Sequence, residues 1–335
     1  MPVAFVLALT FVATSTNHMS HVSSRGCIDS SSKQTSFEFA SNPWLNLYNF
    51  LVKAAKLERG MNDEALGAQG YAEEDTAAVR PLSRSEAESW NRAVVLFAHD
   101  VLPERLQIDS LVINVNNVLA RTGPNDDIEG TTLHPVLRRV LRDVMPIYRS
   151  AWWPRHDRRN EHWIWSMQTA LNGREACLVR RAESVFRAPW PRAPIHVDAT
   201  VYANWFGAYS TRPPTHITVS ANARGTQGNY GLEVLLHETV HSMLGPLDSA
   251  LSHEAARQHK PLPAELSHLV LFYTAGALIQ EQEPSYIPFA ESFGIWRRNG
   301  DSRTYRDMIA QEWQPYLAGT RPFDLAVASI VRRLE

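Results

Sequence analysis

The stretch Val-Leu-Leu-His-Glu-Thr-Val-His-Ser-Met, residues 234–243, is the part of this chain that decides its interpretation. Residues four apart lie on the same face of an α-helix, so His237 and His241 present two imidazoles together, with Glu238 beside the first. Two such imidazoles can bind one metal ion while the carboxylate reaches a water molecule next to it. The uncharged neighbours are typical of a buried helix. The stretch therefore predicts a metal-binding helix equipped for hydrolysis.

Residues that favour β-structure cluster just before this motif. Strands are expected within residues 195–205 and 216–221, and residues 207–214 are expected to connect them. A glycine-containing loop at 225–229 follows, and Gly245 with Pro246 is expected to end the motif helix. The sequence therefore predicts a small β-sheet directly before the metal-binding helix.

The first half of the chain, from residue 42 to 186, has the apolar spacing of helices. Helices are predicted over residues 43–57, 135–150 and 160–185. Ser83 and Glu86 have the spacing of a capping box at the start of a further helix. The expected fold class is accordingly α+β and predominantly helical, with a small β-sheet preceding the metal-binding helix.

Three segments of the chain differ in composition. Residues 1–36 hold an apolar run and then a serine-rich stretch, which indicates a signal peptide and a polar linker. Residues 37–190 form the helical region, and residues 191–335 form the metal-binding catalytic region. The last two segments can also make one compact domain.

The composition is that of a globular protein, with 335 residues, 44% hydrophobic residues and a formal charge of -2. This near-neutral charge favours no nucleic-acid partner, and no apolar run is long enough to span a membrane. A signal peptide would make the protein secreted or periplasmic and would allow Cys27 and Cys177 to pair; otherwise a cytoplasmic location is expected. No pattern indicates an oligomeric state.

A catalytic zinc ion needs a third protein ligand besides His237 and His241. A contiguous motif with glycine and a third histidine is excluded, because Leu244 and Leu247 occupy those positions. Downstream, the prolines at 261 and 263 open a helix whose first turns present Glu265 and His268 on one face. One of these two residues is expected to bind the metal and the other to orient a ligand.

The motif and this downstream helix, over roughly residues 195–280, resemble the gluzincin branch of zinc metallopeptidases. That resemblance implies a zincin-like fold with a bound zinc ion, and it assigns the third ligand to Glu265. Ala264 and Leu269 replace the usual Asn and Asp around that glutamate. The segments 265–276 and 313–319 are more closely similar to a bacterial group of peptidase-like proteins, in which the histidine of this helix recurs. The second resemblance favours His268, so we rank His268 before Glu265.

The expected chemistry is zinc-dependent hydrolysis of an amide bond in a peptide or protein substrate. Glu238 would act as general base toward a metal-activated water. Tyr273, Tyr286 and Tyr209 are candidates to stabilise the oxyanion, and Tyr273 is taken as the catalytic one. A catalytically inactive metal-binding scaffold and a metal-dependent enzyme with a non-peptide substrate are the alternatives.

Overall fold

The computed structural model describes residues 35–61, 77–101, 110–192, 194–204, 207–297 and 302–334. These residues are mostly helical and include one small sheet, which confirms the predicted α+β class. The helices are α1 (Pro43–Glu58), α2 (Arg84–Leu96), α3 (Ser110–Arg121), α4 (Pro135–Ala151), α5 (Trp153–Leu171), α6 (Glu175–Phe186), α7 (Gly228–Val240), α8 (Gly245–Gln258), α9 (Leu266–Gln280), α10 (Phe289–Ser292), α11 (Ser302–Glu312), α12 (Gln314–Leu317) and α13 (Phe323–Arg332).

The sheet contains β1 (Phe37–Ala40), β2 (Ile195–Thr200), β3 (Ala208–Thr211) and β4 (His216–Ser220) in the order β1-β2-β4-β3. The first three strands in that order are parallel, and β3 runs antiparallel to β4. The strands predicted before the motif are confirmed as β2 and β4. The segment predicted to be a plain connection contains β3, and β1 was not predicted, because four residues are too few for a periodic signal.

Local capping explains where several helices begin. The Asn42 side chain accepts hydrogen bonds from the backbone N–H groups of Trp44 and Leu45, and the predicted capping box of Ser83 and Glu86 is present at α2. The single helix predicted over residues 160–185 is instead α5 and α6. The break falls at Gly173, whose φ of +73° is a left-handed conformation that favours glycine.

The motif helix α7 ends at Val240, and His241 follows it in right-handed helical conformation, with its N–H donating to the carbonyl of His237 at 3.2 Å. The prediction that Gly245 and Pro246 end this helix is wrong, because they begin α8. Proline suits the first turn of a helix, where no intrahelical N–H bond is needed. The two histidines of the motif still lie one turn apart.

Two hydrophobic clusters lie next to the sheet. One cluster joins the face carrying Val197 and Ile217 to apolar residues of α5, α6, α7 and α9. The other cluster is built on α1 to α4 and includes Val201 and Tyr202, which follow β2. The Asn46 side chain of α1 ties these parts together, because it donates to the carbonyl of Ala199 and accepts from the N–H of Val201, both at 3.1 Å.

Strand β1, from the segment predicted as the helical region, pairs in register with β2 from the predicted catalytic region. The division into those two regions stays a prediction. The candidate signal peptide lies outside the described residues, as does Cys27, while Cys177 is disulfide-bonded. Among the described helices, none combines the length and apolar character needed to cross a membrane.

Candidate metal centre

Three histidines meet where α7 packs against α9, and we call them the helix cluster: His237, His241 and His268. Their ligand nitrogens all lie within 4.8 Å of one another. The Nε2 atoms of His237 and His268 are 3.1 Å apart, and the ring of His241 lies 4.8 and 5.0 Å from the other two rings, measured between centroids. The first turn of α9 thus supplies a third imidazole to the pair on the motif helix.

Burial keeps the helix cluster neutral. Burial together with the neighbouring imidazoles lowers the pKa of His237 well below its usual value. Burial, helped by His268 and Arg212, lowers the pKa of His241 to about 3, and burial alone lowers that of His268 to about 4. A neutral imidazole has a free nitrogen lone pair, which is the form that binds a metal ion.

Glu238 is buried beside this cluster. Burial raises the pKa of its carboxyl group to about 7, while Ser210, through its hydroxyl and backbone N–H, and the positive charge of Arg212 partly oppose the rise. A carboxyl group with a pKa near neutrality can both accept and return a proton. Ser210 belongs to β3, so that strand contributes to the surroundings of the motif carboxylate.

A cavity of about 310 Å³ opens onto the helix cluster. One wall is the strand β3, another is the motif helix, and Phe272 and Phe289 provide aromatic surface. The lining residues are Ala208, Tyr209, Ser210, Arg212, Glu233, Val234, His237, Glu238, His241, His268, Phe272 and Phe289. The arrangement places a candidate base, three candidate metal ligands and an arginine around one space.

A second acidic residue of the cavity, Glu233, lies one helical turn before His237. Its Oε2 accepts a hydrogen bond from the hydroxyl of Tyr286 at 2.6 Å and from the N–H of Phe289 at 2.9 Å. Burial raises its pKa to about 7, and these two donors work against that rise. Glu233 therefore connects the motif helix to the segment that carries the aromatic wall.

The structure brings together His237, Glu238, His241 and His268 from the residues expected at the site. Glu265, the alternative third ligand, is exposed immediately before α9 and is not part of the helix cluster. The nitrogens of three imidazoles suit Zn²⁺, which binds histidine readily and leaves a fourth position open when it has three protein ligands. The residues present therefore fit the metal that the motif implies.

The tyrosines proposed for the oxyanion are engaged elsewhere. Tyr273 donates from its hydroxyl to Gln314 at 2.9 Å and does not line the cavity. The hydroxyl of Tyr286 is bonded to Glu233, and Tyr209 lines the cavity while its hydroxyl donates to Asn116 at 2.7 Å. Arg212, which sequence reasoning missed, does line the cavity, and it donates to the carbonyl of His241.

A second group of metal-ligating side chains, the sheet cluster, consists of His196, Asp198 and His216. The Oδ2 atom of Asp198 lies 2.8 Å from Nε2 of His216 and 3.1 Å from Nε2 of His196. Sequence reasoning missed this cluster. The alternation of His196 and Asp198 along a strand indicates a shared face, but the partner on β4 follows only from the strand pairing.

Comparison of the chain with protein-family models, with curated proteins and with solved structures finds no match. The function is therefore inferred from the chemistry of the cavity.

Proposed function

We propose that this protein is a zinc-dependent hydrolase, and specifically a metallopeptidase of zincin-like arrangement. The observation that carries the proposal is that the helix cluster and Glu238 line the same cavity, beside the edge strand β3. A purely structural zinc site closes its coordination shell with protein ligands and needs no adjacent base or substrate space.

His237, His241 and His268 would hold the zinc ion. Bound there, zinc would supply Lewis-acid chemistry that acidifies water and polarises a carbonyl oxygen. The aromatic and aliphatic walls of the cavity, including Phe272, Phe289 and Val234, restrict solvent around this point. Restricted solvent strengthens the electrostatic interactions of the charged groups that remain.

Glu238 takes the proton of the attacking water and returns it to the leaving amine. Its position next to His237 and its place in the cavity lining support this role. Ser210 holds the carboxylate from the side of β3. Arg212, on the same strand side of the cavity, is placed to stabilise negative charge on the carbonyl oxygen, since its guanidinium carries a permanent positive charge.

Strand β3 is the feature that favours a peptide substrate. This strand ends the sheet order, and three of its residues, Ala208, Tyr209 and Ser210, line the cavity. An extended peptide can add to such an edge through backbone hydrogen bonds, which would lay its scissile bond along the helix cluster. A non-peptide substrate could not form this backbone pairing.

The test is cleavage of a diverse peptide library by the zinc-loaded protein, read by mass spectrometry, for the wild type and for Glu238→Gln. We expect the variant to keep its zinc and to lose turnover by about 10²- to 10⁴-fold, the range for a general acid–base group. Glu265→Gln, at an exposed carboxylate before α9, is the matched control and should cleave normally. Equal cleavage by wild type and Glu238→Gln, or no cleavage by zinc-loaded wild type, would contradict the proposal.

A further inference from the structure

The sheet cluster lies on the opposite face of the sheet from the helix cluster. Ile217 and Val197 face the hydrophobic cluster that contains the motif helix. Side chains alternate along a strand, so the neighbouring His216, Asp198 and His196 face the other way. The parallel register pairs His196 directly with His216, and Asp198 follows two residues later on the same face.

The distances within this cluster are close to those of a metal site. The Oδ2 atom of Asp198 is 2.8 Å from Nε2 of His216 and 3.1 Å from Nε2 of His196, and the imidazole centroids are 5.4 Å apart. Ligand atoms bonded to a tetrahedral zinc ion at about 2.0–2.1 Å lie roughly 3.3–3.4 Å from one another. A small outward movement of the side chains would admit the ion.

Polar atoms in this cluster lack hydrogen-bond partners. The carboxyl group of Asp198 is fully buried, yet its Oδ1 has no partner. Nε2 of His196 and Nδ1 of His216 are also buried without a well-directed hydrogen bond. A buried polar group without a hydrogen-bond partner costs about 1–3 kcal/mol. A cation bound between Oδ2 of Asp198 and the two Nε2 atoms would give Nε2 of His196 a partner.

The residues around the sheet cluster supply a carboxylate beside His196 and a route by which an ion can enter from solvent. Glu38 on β1 pairs in register with His196, and its Oε2 lies 3.8 Å from Nδ1 of that imidazole. This distance is too long for a direct hydrogen bond. A small movement of Glu38 would let it accept the Nδ1–H of a metal-bound His196, as carboxylates commonly do for histidine ligands. The His196 side chain is 33% exposed, so an ion can reach the cluster from solvent.

We propose that His196, Asp198 and His216 form a second site, which binds a divalent transition-metal cation and links β2 to β4. Two imidazole nitrogens and one carboxylate suit Zn²⁺ and similar ions. This site is separate from the helix cluster in its ligands and its face of the sheet. Its existence does not depend on the proposed peptidase activity.

The experiment measures zinc bound per chain in the untagged full-length protein after equilibration with zinc chloride and removal of loosely bound metal. Wild type should bind two equivalents. His237→Gln/His268→Gln, which disables the helix cluster, should retain one. Adding His196→Gln to that variant should remove the remaining equivalent of zinc. Because the His196 side chain is partly exposed, this substitution should leave the fold intact. Zinc should raise the melting temperature of the double variant and leave that of the triple variant unchanged.

Glu38→Gln, introduced into the double variant, is a milder probe at an exposed position. Glu38 would contact a metal-binding histidine without binding the metal itself. Its substitution should therefore weaken zinc binding by about 10- to 100-fold without removing a ligand. The proposal is overturned if the double variant binds no zinc, or if it binds zinc that His196→Gln does not reduce. Failure of the peptidase proposal would appear separately, as zinc-loaded wild type that cleaves no peptide.

Discussion

The helix cluster and the sheet cluster use similar side chains in different surroundings. In the helix cluster three imidazoles face one another, with the carboxyl group of Glu238 beside them and a cavity in front. In the sheet cluster a fully buried carboxylate, that of Asp198, stands between two imidazoles. The first arrangement brings neutral donors to a space that a substrate can enter. The second builds a charge into the middle of a sheet.

The comparison of the two clusters shows that metal-ligating side chains do not by themselves indicate catalysis. Burial lowers the pKa values of the helix-cluster histidines, so they need no counter-charge. Burial would raise the pKa of Asp198, but the two imidazoles beside it hold that pKa below its ordinary value. Asp198 is therefore a charged group whose neighbours stabilise it, and we expect the two clusters to respond differently to mutation.

The largest contrast is between the two candidate third ligands. His268→Ala should weaken zinc binding at the helix cluster by more than about 100-fold and should abolish hydrolysis. Loss of a residue that only contacts a metal ligand weakens binding by about 10- to 100-fold, and loss of a ligand should cost more. Glu265→Ala should change neither, because that side chain is exposed and outside the cluster. Zinc titration of both variants, made with His196→Gln so that only the helix cluster is read, checks the assignment. Loss of zinc from the Glu265 variant would reverse it.

The two candidates for stabilising developing negative charge, Arg212 and Tyr273, give the next contrast. Arg212→Gln should lower kcat by about 10²- to 10³-fold, the effect of removing one oxyanion donor. Tyr273→Phe should change kcat by less than about 2-fold. The hydroxyl of Tyr273 donates to Gln314 and does not reach the cavity. Steady-state kinetics on one cleaved peptide measures both. A comparable loss in Tyr273→Phe would restore the tyrosine as the catalytic residue.

Stability in the absence of metal separates the two clusters. With a chelator present, Asp198→Asn should reduce the free energy of unfolding by about 3 kcal/mol, because it removes the charged partner of two buried or half-buried imidazoles. His268→Gln should reduce it by less than about 1 kcal/mol, since a single contact to His237 is lost. Urea unfolding at pH 7 provides the comparison, and equal losses would contradict it.

The smallest expected effect is a pH dependence. The pKa of His268 is about 4 in the folded protein against an ordinary value of 6.5, so the unfolded chain binds a proton first as the pH falls. Stability from this group is complete above pH 6.5 and declines toward pH 4, and by pH 5 it has fallen by about 2 kcal/mol. With a chelator present, the free energy of unfolding of His268→Gln should therefore fall by about 2 kcal/mol less than that of the wild type between pH 7 and pH 5. An unchanged pH dependence would show that folding does not lower the pKa of His268.

Local rules were sufficient for much of the fold. The capping box at Ser83 and Glu86, the helix beginning at Pro43 and the strands β2 and β4 follow from residue spacing and capping chemistry. The same rules failed at Gly245, where a glycine–proline pair serves equally as a stop or a start. They also failed at β3, whose strand conformation depends on pairing with β4.

For the candidate site, helical periodicity was enough to place His237 and His241 on one face and to put Glu238 beside them, because a four-residue spacing is a local property of the helix. The choice between His268 and Glu265 needed the packing of α9 on α7, since a helix rotated by a fraction of a turn would present the other side chain. The positions of Arg212 and Ser210 beside the cavity required the antiparallel addition of β3, and the sheet cluster required the register of β2 with β4. Contacts between distant segments depend on how whole elements pack, and residue spacing within one segment carries no information about that packing.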